Sequence, residues 1–182
     1  MFEPETLRLK LRQWQASDLA PFADLNSDPR VMEHFPAPLT REESNAWVGR
    51  LKAEMAEQGW GLWAVEVKAT QQFIGFVGLK VPKVTLPFSP CVEIGWRLVF
   101  DAWGKGYATE AAKAALQVGF EQLRLPEIVS FTAVCNTRSA AVMQRIGMTK
   151  DPHTFEHPAV VEGHHLRTHV LYRMTREMWM KR

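Results

Sequence analysis

The sequence has few cysteines, little net charge and no long apolar run. Its two cysteines, Cys91 and Cys135, form no CxxC pair, and residues 1–4 do not resemble a secretory leader, so we expect free thiols in a reducing compartment. The formal net charge is only +2, from 22 basic and 20 acidic residues, which gives no basic face for nucleic acid. No apolar stretch approaches the ~20 residues of a membrane span. We therefore expect a cytoplasmic protein with no nucleic-acid or membrane partner.

Apolar and aromatic residues are plentiful by contrast. Of the 182 residues, 46% are hydrophobic, and they include 10 Phe and 7 Trp. A chain of this size and composition can fill one core without disulfide or metal staples. The sequence therefore predicts a single domain over residues 1–182.

The hydrophobic periodicity alternates between two and about 3.6 residues along the chain. Early strands that form hairpins do not fit a strict βαβ repeat, so the pattern favours a mixed α/β sheet. Thr40 and Glu43 form a capping box, and Gly59 is suited to end the helix that starts there. The predicted order is strand 6–14, helix 19–25, helix 41–58, strands 62–67 and 73–80, strand 92–100, helix 109–123, strand 127–135, helix 139–146, a polar histidine-rich loop 151–167 and strand 169–174.

A glycine turn, Trp103-Gly104-Lys105-Gly106, joins the predicted strand 92–100 to the helix that follows. Free backbone amides at a helix start bind anions, and glycines let an anion approach the backbone closely. The spacing does not fit a P-loop, because Gly106 follows Lys105, and Thr109 replaces the third glycine of a dinucleotide fingerprint. Taken alone, the segment is either a phosphate-binding turn or a plain tight turn.

Several motifs occur in a characteristic order: Glu93-Ile94-Gly95-Trp96, then Trp103 to Ala111, then Asn136-Thr137-Arg138-Ser139, then Ile146-Gly147-Met148. This order resembles the GNAT acyl-CoA-dependent N-acetyltransferases, and within them the RimJ/RimL-type protein N-acetyltransferases. The resemblance covers most of the chain. It implies a single-domain, mixed and mostly antiparallel central sheet with splayed parallel strands, flanked by helices.

The resemblance also implies a site for acetyl-CoA as co-substrate. The backbone amides of the glycine turn would hold the pyrophosphate, although Trp103 replaces the Arg or Gln that the family usually has there. The strand edge would pair with pantetheine, and Asn136 would contact the cofactor. Two arginines are candidates for the 3′-phosphate, with solvated helix charges as the alternative. The implied residues are Leu98, Val99 and Phe100 at the strand edge, Gly104, Lys105, Gly106, Tyr107 and Ala108 at the turn, and Asn136, Arg138 and Arg145 beyond.

For catalysis, Glu93 resembles the glutamate that serves as general base in several GNAT enzymes. It could take the amine proton directly or through a water if burial raises its pKa; otherwise it is an exposed strand residue or an ion-pair partner. Many relatives place a tyrosine where this chain has Met143, which cannot protonate a leaving thiolate. Ser139 could hydrogen-bond the sulfur instead, or could simply cap its helix.

The implied function is acetyl transfer from acetyl-CoA to a primary amine by direct attack in a ternary complex. The subfamily resemblance favours the N-terminal α-amino group of a protein as acceptor. A small amine, such as an amino acid, polyamine or antibiotic, is the alternative, and a non-catalytic acyl-CoA-binding module is a second. The histidines of the loop 151–167 lack metal-ligand spacing, so no metal is predicted. Relatives often dimerise, which makes a homodimer an expectation.

Overall fold

A computed structural model describes residues 2–182; Met1, which belongs to the predicted domain 1–182 and to the segment 1–4, lies outside the described residues. Seven strands form one sheet in the order β1-β2-β3-β4-β5-β7-β6. All described neighbours are antiparallel except β4 and β5. The strands are β1 (Leu9–Arg12), β2 (Leu62–Val67), β3 (Gln72–Lys80), β4 (Glu93–Leu98), β5 (Glu127–Ala133), β6 (Thr149–Glu156) and β7 (Thr168–Thr175).

Helices connect the strands and cover the sheet. The predicted capping box is confirmed, because the Thr40 hydroxyl accepts the Glu43 amide and the Glu43 carboxylate accepts the Thr40 amide. Gly59 ends the same helix with a left-handed φ of 78°. Within residues 2–182, no helix combines the length and the apolar character needed to cross a membrane. The helices are α1 (Leu19–Ser27), α2 (Pro29–Met32), α3 (Arg41–Gln58), α4 (Tyr107–Gln117), α5 (Thr137–Arg145) and α6 (Arg176–Met180).

The two faces of the sheet are covered by different helices. On one face, Phe76 of β3 contacts Phe22 of α1 and Trp47 of α3, with ring centroids 6.1 and 5.5 Å apart. On the other face, the π-helical turn after α4 brings Gly119 against Leu79 of β3. Since strand side chains alternate between faces, each residue of β4 is assigned to one of these two layers by its position.

Strands β4 and β5 pair at one described position, Glu93 with Val129. One step farther, the buried Ser130 hydroxyl donates to the Ile94 carbonyl at 2.9 Å. No described ladder pair joins the strands beyond that point. The splayed parallel strands and the mostly antiparallel sheet that the sequence predicted are therefore confirmed.

Two local predictions need correction. The segment predicted as a polar loop, 151–167, contains most of strand β6, which pairs with β7 at the sheet edge. An edge strand has one unpaired side and tolerates polar residues, so the polar composition of β6 did not indicate a strand. The register shift between Lys150 and Thr154 also interrupts the alternation of its side chains. Helix α5 begins at Thr137 rather than Ser139, because the Asn136 side chain caps it and accepts the Ser139 amide.

Candidate active site

Glu93 stands at the start of β4, where the pairing with β5 ends. It is 7% exposed, which removes the alternative of an exposed strand residue, whereas an ion pair with Lys80 leaves the alternative of an ion-pair partner open. Its Oε2 lies 3.2 Å from the Lys80 Nζ, without the alignment of a hydrogen bond, and its Oε1 lies over Gly95, 3.6 Å from where a Cβ would stand. Burial raises the pKa of Glu93 above its ordinary value, and the Lys80 ammonium partly opposes that rise. A carboxylic acid tuned in this direction suits proton transfer near neutral pH.

The gap between β4 and β5 is bordered by backbone groups of β4. The Ile94 carbonyl faces β5, so by strand alternation the groups of Leu98 face the same side. The Leu98 carbonyl accepts the Trp103 indole Nε1–H at 2.9 Å. The Val99 amide instead donates to the Ile74 carbonyl on β3 at 2.9 Å, and Phe100 begins a 3-10 turn. Of the three predicted edge residues, Leu98 has its amide on the gap side.

The glycine turn leads directly into α4. Gly104 and Gly106 have left-handed φ values of 74° and 79°, and no described atom lies within 4 Å of a Cβ built on Gly104. Gly106 is the N-cap, and no described side chain caps the helix. The backbone amides of the first turn, starting at Tyr107 and Ala108, therefore lie at the positive end of the helix dipole. This arrangement fits a pyrophosphate.

The turn is held in place by Arg8, the residue that precedes strand β1. The Arg8 guanidinium donates to the Lys105 carbonyl at 3.0 Å and to the Glu110 carboxylate at 2.6 Å, and it stacks 4.6 Å from the centre of the Tyr107 ring. These contacts fix the carbonyl of Lys105 and, because the peptide group is planar, the direction of the Gly106 amide. Arg8 and Glu110 were not predictable as a pair, because 102 residues separate them along the chain.

The residues predicted on α5 divide into two groups. Asn136 accepts the Ser139 amide at 3.2 Å and donates to the Thr132 hydroxyl at 3.0 Å, so its side chain orders the start of α5. Ser139 is half-buried in the first turn of α5, and it is not the N-cap. Met143 is buried in the main core at 1% exposure. Ser139 is therefore the remaining candidate on this helix for a hydrogen bond to the leaving thiolate.

The two arginines proposed for the 3′-phosphate lie at opposite ends of α5. Arg138 forms an ion pair with Glu33 at 2.6 Å and stacks 4.7 Å from the centre of the Trp103 ring. It thus links the end of β4 to the start of α5, across the gap. Arg145 is exposed in the last turn, about 10 Å along the axis from Arg138. They do not converge on one point.

A cavity on the Glu93 face of the sheet was not predicted from the sequence. It has a volume of about 400 Å³ and lies between β4, α3 and the loop 35–39, with Arg97 and Trp47 in its wall. Arg97 follows Gly95 and Glu93 at period two, so all three share one face of β4. A cationic residue within a strand covered by helices was the signal that could have pointed to it.

Comparison with known proteins agrees with this geometry. Residues 8–149 match the family described as Acetyltransferase (GNAT) domain. The uncharacterized protein YkkB of Bacillus subtilis (strain 168) is 32% identical over 144 residues, covering 79% of this chain and 83% of YkkB. The FsC-acetyl coenzyme A-N(2)-transacetylase of Aspergillus fumigatus is 31% identical over 171 residues, covering 86% of this chain and 69% of that protein.

A solved structure gives the same result for the fold. The acetyltransferase (GNAT family) from Bacillus anthracis superposes with a TM-score of 0.79 at 26% identity, covering 97% of this chain and 99% of that one. The family match spans well over half of the chain, and it includes the strand, glycine turn and helix described above. The chain therefore belongs to the GNAT family of N-acetyltransferases.

Proposed function

We propose that this N-acetyltransferase moves the acetyl group of acetyl-CoA to a primary amine by direct attack, with Glu93 receiving the amine proton. The observation that carries the proposal is the position of Glu93. It is a buried carboxyl group with a raised pKa, located where β4 and β5 part. A base in that position can deprotonate an amine as it attacks a carbonyl held in the gap.

The co-substrate is proposed to lie along the gap and the glycine turn. The amides from Gly104 to Ala108 would bind the pyrophosphate, the Leu98 amide would pair with pantetheine, and Asn136 and Arg138 border the opposite side. Exposed Arg145 is the freer cation for a 3′-phosphate. The thioester supplies the activated acetyl group and, after transfer, leaves as a thiolate. Because Met143 cannot donate a proton, we assign the hydrogen bond to the sulfur to the hydroxyl of Ser139.

For the acceptor we favour a small amine. A cavity of about 400 Å³ lies on the same face as Glu93, within the range typical of small-molecule sites. The relative from Aspergillus fumigatus is named FsC-acetyl coenzyme A-N(2)-transacetylase, a name that specifies transfer to a nitrogen. The N-terminal α-amino group of a protein is the second candidate, supported by the RimJ/RimL-like order of motifs.

The test follows release of the coenzyme A thiol from acetyl-CoA with a panel of small amines and of peptides with free amino termini. We expect turnover with small amines. Glu93→Gln should lower kcat by roughly 10²- to 10⁴-fold. In the wild type, kcat/KM should fall as the pH drops through a pKa above that of an ordinary glutamate, because only the ionised carboxylate accepts a proton.

The control is Glu127→Gln on the neighbouring strand, where the carboxylate pairs with Arg173 at 2.8 Å. This variant should keep the wild-type pH profile. If deprotonation of the amine itself sets the pH dependence of kcat/KM, the apparent pKa will change with the amine tested. An apparent pKa that belongs to Glu93 will stay the same for all amines. An unchanged kcat in Glu93→Gln would remove the base assignment. Turnover of peptides alone would favour the protein acceptor, and no turnover with any amine would contradict an acetyltransferase acting on these acceptor classes.

A further inference from the structure

The cavity beside β4 is built mainly from apolar and aromatic side chains, with charge at few points. Its apolar wall includes Met32, Phe35, Leu39 and Trp47. The charged residues in its lining are Glu43, Arg50 and Arg97. Glu43 belongs to the capping box of α3, where its carboxylate accepts the Thr40 amide at 2.8 Å, and Arg50 is exposed. Arg97 is thus the buried charge of this cavity.

Arg97 is 8% exposed, yet it has no carboxylate partner within residues 2–182. Its Nη1 donates to the Oδ1 of Asn26 at 2.6 Å. Its guanidinium carbon lies 3.8 Å from the centre of the Phe35 ring and 5.2 Å from that of Trp47. Its Nε is buried and has no hydrogen-bond partner among the described residues.

An arrangement of this kind is costly for the fold alone. Removing a guanidinium from water is unfavourable unless an opposite charge compensates it, and contact with aromatic faces offsets only part of that penalty. Burial lowers the pKa of Arg97 to about 9, which is still well above neutrality. The side chain is therefore a cation under physiological conditions, and it lines a cavity with no carboxylate beside it among the described residues.

The position of Arg97 relative to Glu93 links the cavity to the reaction. Both project from the same face of β4, with Gly95 between them. Four strand residues span about 13 Å between their Cα atoms, and the Glu93 Oε1 already reaches back over Gly95. Since Gly95 has no side chain, no side chain of β4 stands between the carboxylate and the guanidinium on this face.

We propose that Arg97 binds the carboxylate of the acceptor, so that the acceptor is a small primary amine that also carries a carboxylate. The inference rests on the proposed function, since it places the amine at Glu93. A planar carboxylate matches the fork of one guanidinium. A phosphate, with its larger charge, would require more donors than this mostly apolar wall offers. The acceptor carboxylate then compensates the buried charge of Arg97, and it does so only while the acceptor is bound.

The experiment compares matched pairs of amines in the wild-type enzyme. Glycine, β-alanine, γ-aminobutyrate, L-leucine and L-phenylalanine are each tested against their carboxamides by release of the coenzyme A thiol. We expect at least one carboxylate to exceed its amide by roughly 10- to 100-fold in kcat/KM, mostly through KM, because a charge-assisted hydrogen bond contributes about 1.5–3 kcal/mol. Equal turnover of all pairs would overturn the proposal while leaving the acetyltransferase function intact.

Variants separate a binding role of Arg97 from a structural one. Arg97→Gln should raise KM for the carboxylate but not for the amide, and Arg97→Lys should recover part of the difference. Arg41→Gln, which changes an exposed arginine of α3 outside the cavity lining, should keep the preference. A purely structural Arg97 would lower the turnover of both members of a pair by the same factor. If Arg97→Gln does not fold, the wild-type comparison still decides the question.

A binding measurement keeps the inference testable without catalysis. N-acetyl-L-leucine and N-acetyl-L-leucinamide carry no free amine, so calorimetry with them reports recognition of the carboxylate alone. Selective binding of the acid with no turnover of any amine would keep the Arg97 site and contradict the proposed function. Preference for peptide amino termini over all free amines that carry a carboxylate would overturn the small-molecule assignment.

Discussion

The protein buries two strand arginines to nearly the same extent, Arg12 at 5% and Arg97 at 8% exposure. Arg12 donates to both Asp18 oxygens at 2.7 and 2.9 Å and to Glu66 at 2.7 Å, and these contacts raise its pKa. Arg97 has one amide oxygen and aromatic rings, and its pKa is lowered. Equal burial thus serves two purposes: Arg12 fastens β1 to its neighbours, whereas Arg97 holds an uncompensated charge beside a cavity.

The largest expected effect separates the two arginines by stability. Arg12→Met should lower the free energy of unfolding by about 3–5 kcal/mol, because it leaves the buried Asp18 carboxylate without its counter-charge. Arg97→Met should change it by less than ~2 kcal/mol, because loss of the Asn26 hydrogen bond is offset by removal of a buried charge. Urea unfolding at pH 7 measures both values. Equal losses would show that Arg97 is as much a part of the fold as Arg12.

An intermediate effect comes from giving Arg97 the partner that Arg12 already has. Asn26→Asp places a carboxylate at the atom that accepts from Arg97, so the pKa of Arg97 should rise. Kinetic preference for a carboxylate over its amide should then fall about tenfold, because the guanidinium is already compensated. Turnover of the amide should not change. Asn45→Asp, on α3, serves as the control, and an undiminished preference in Asn26→Asp would separate Arg97 from acceptor binding.

The smallest effect concerns the aromatic ring stacked on Arg97. Phe35→Leu keeps an apolar wall but removes a cation–π contact worth about 0.5–1 kcal/mol at a partly exposed site. This corresponds to a two- to fivefold rise in KM for carboxylate acceptors. Steady-state kinetics with the best acid and its amide measures the change. A rise in KM of the same size for both would mean that the ring shapes the cavity without acting through Arg97.

Local features of the fold were predictable because their causes are local. The capping box at Thr40 and the left-handed C-cap at Gly59 involve residues within one helical turn, so their identities suffice. The glycine turn before α4 is of the same kind. Strand β6 was missed, since an edge strand next to β7 is defined by its partner and not by its own polar composition.

The candidate site was predictable only in part for the same reason. The motif order located Glu93 and the glycine turn, but not the Lys80 ammonium that opposes the rise in the pKa of Glu93, nor the Arg8 guanidinium that fixes the turn. The prediction that Ser139 caps its helix was wrong, because the helix starts earlier and the Asn136 side chain is the cap, accepting the Ser139 amide. Each of these depends on which of several nearby polar groups the backbone brings within hydrogen-bond distance.

By itself, the sequence determined the alternation of strands and helices that makes a mixed α/β sheet and the glycine turn before α4, because periodicity, caps and glycines act over a few residues. Only the tertiary structure decided which of the two buried arginines has a carboxylate partner. Arg97 gains its aromatic walls and its amide partner from α1, α3 and the loop between α2 and α3, while Arg12 meets Asp18 and Glu66. Charge compensation depends on distance in space, and residues far apart in the chain set that distance.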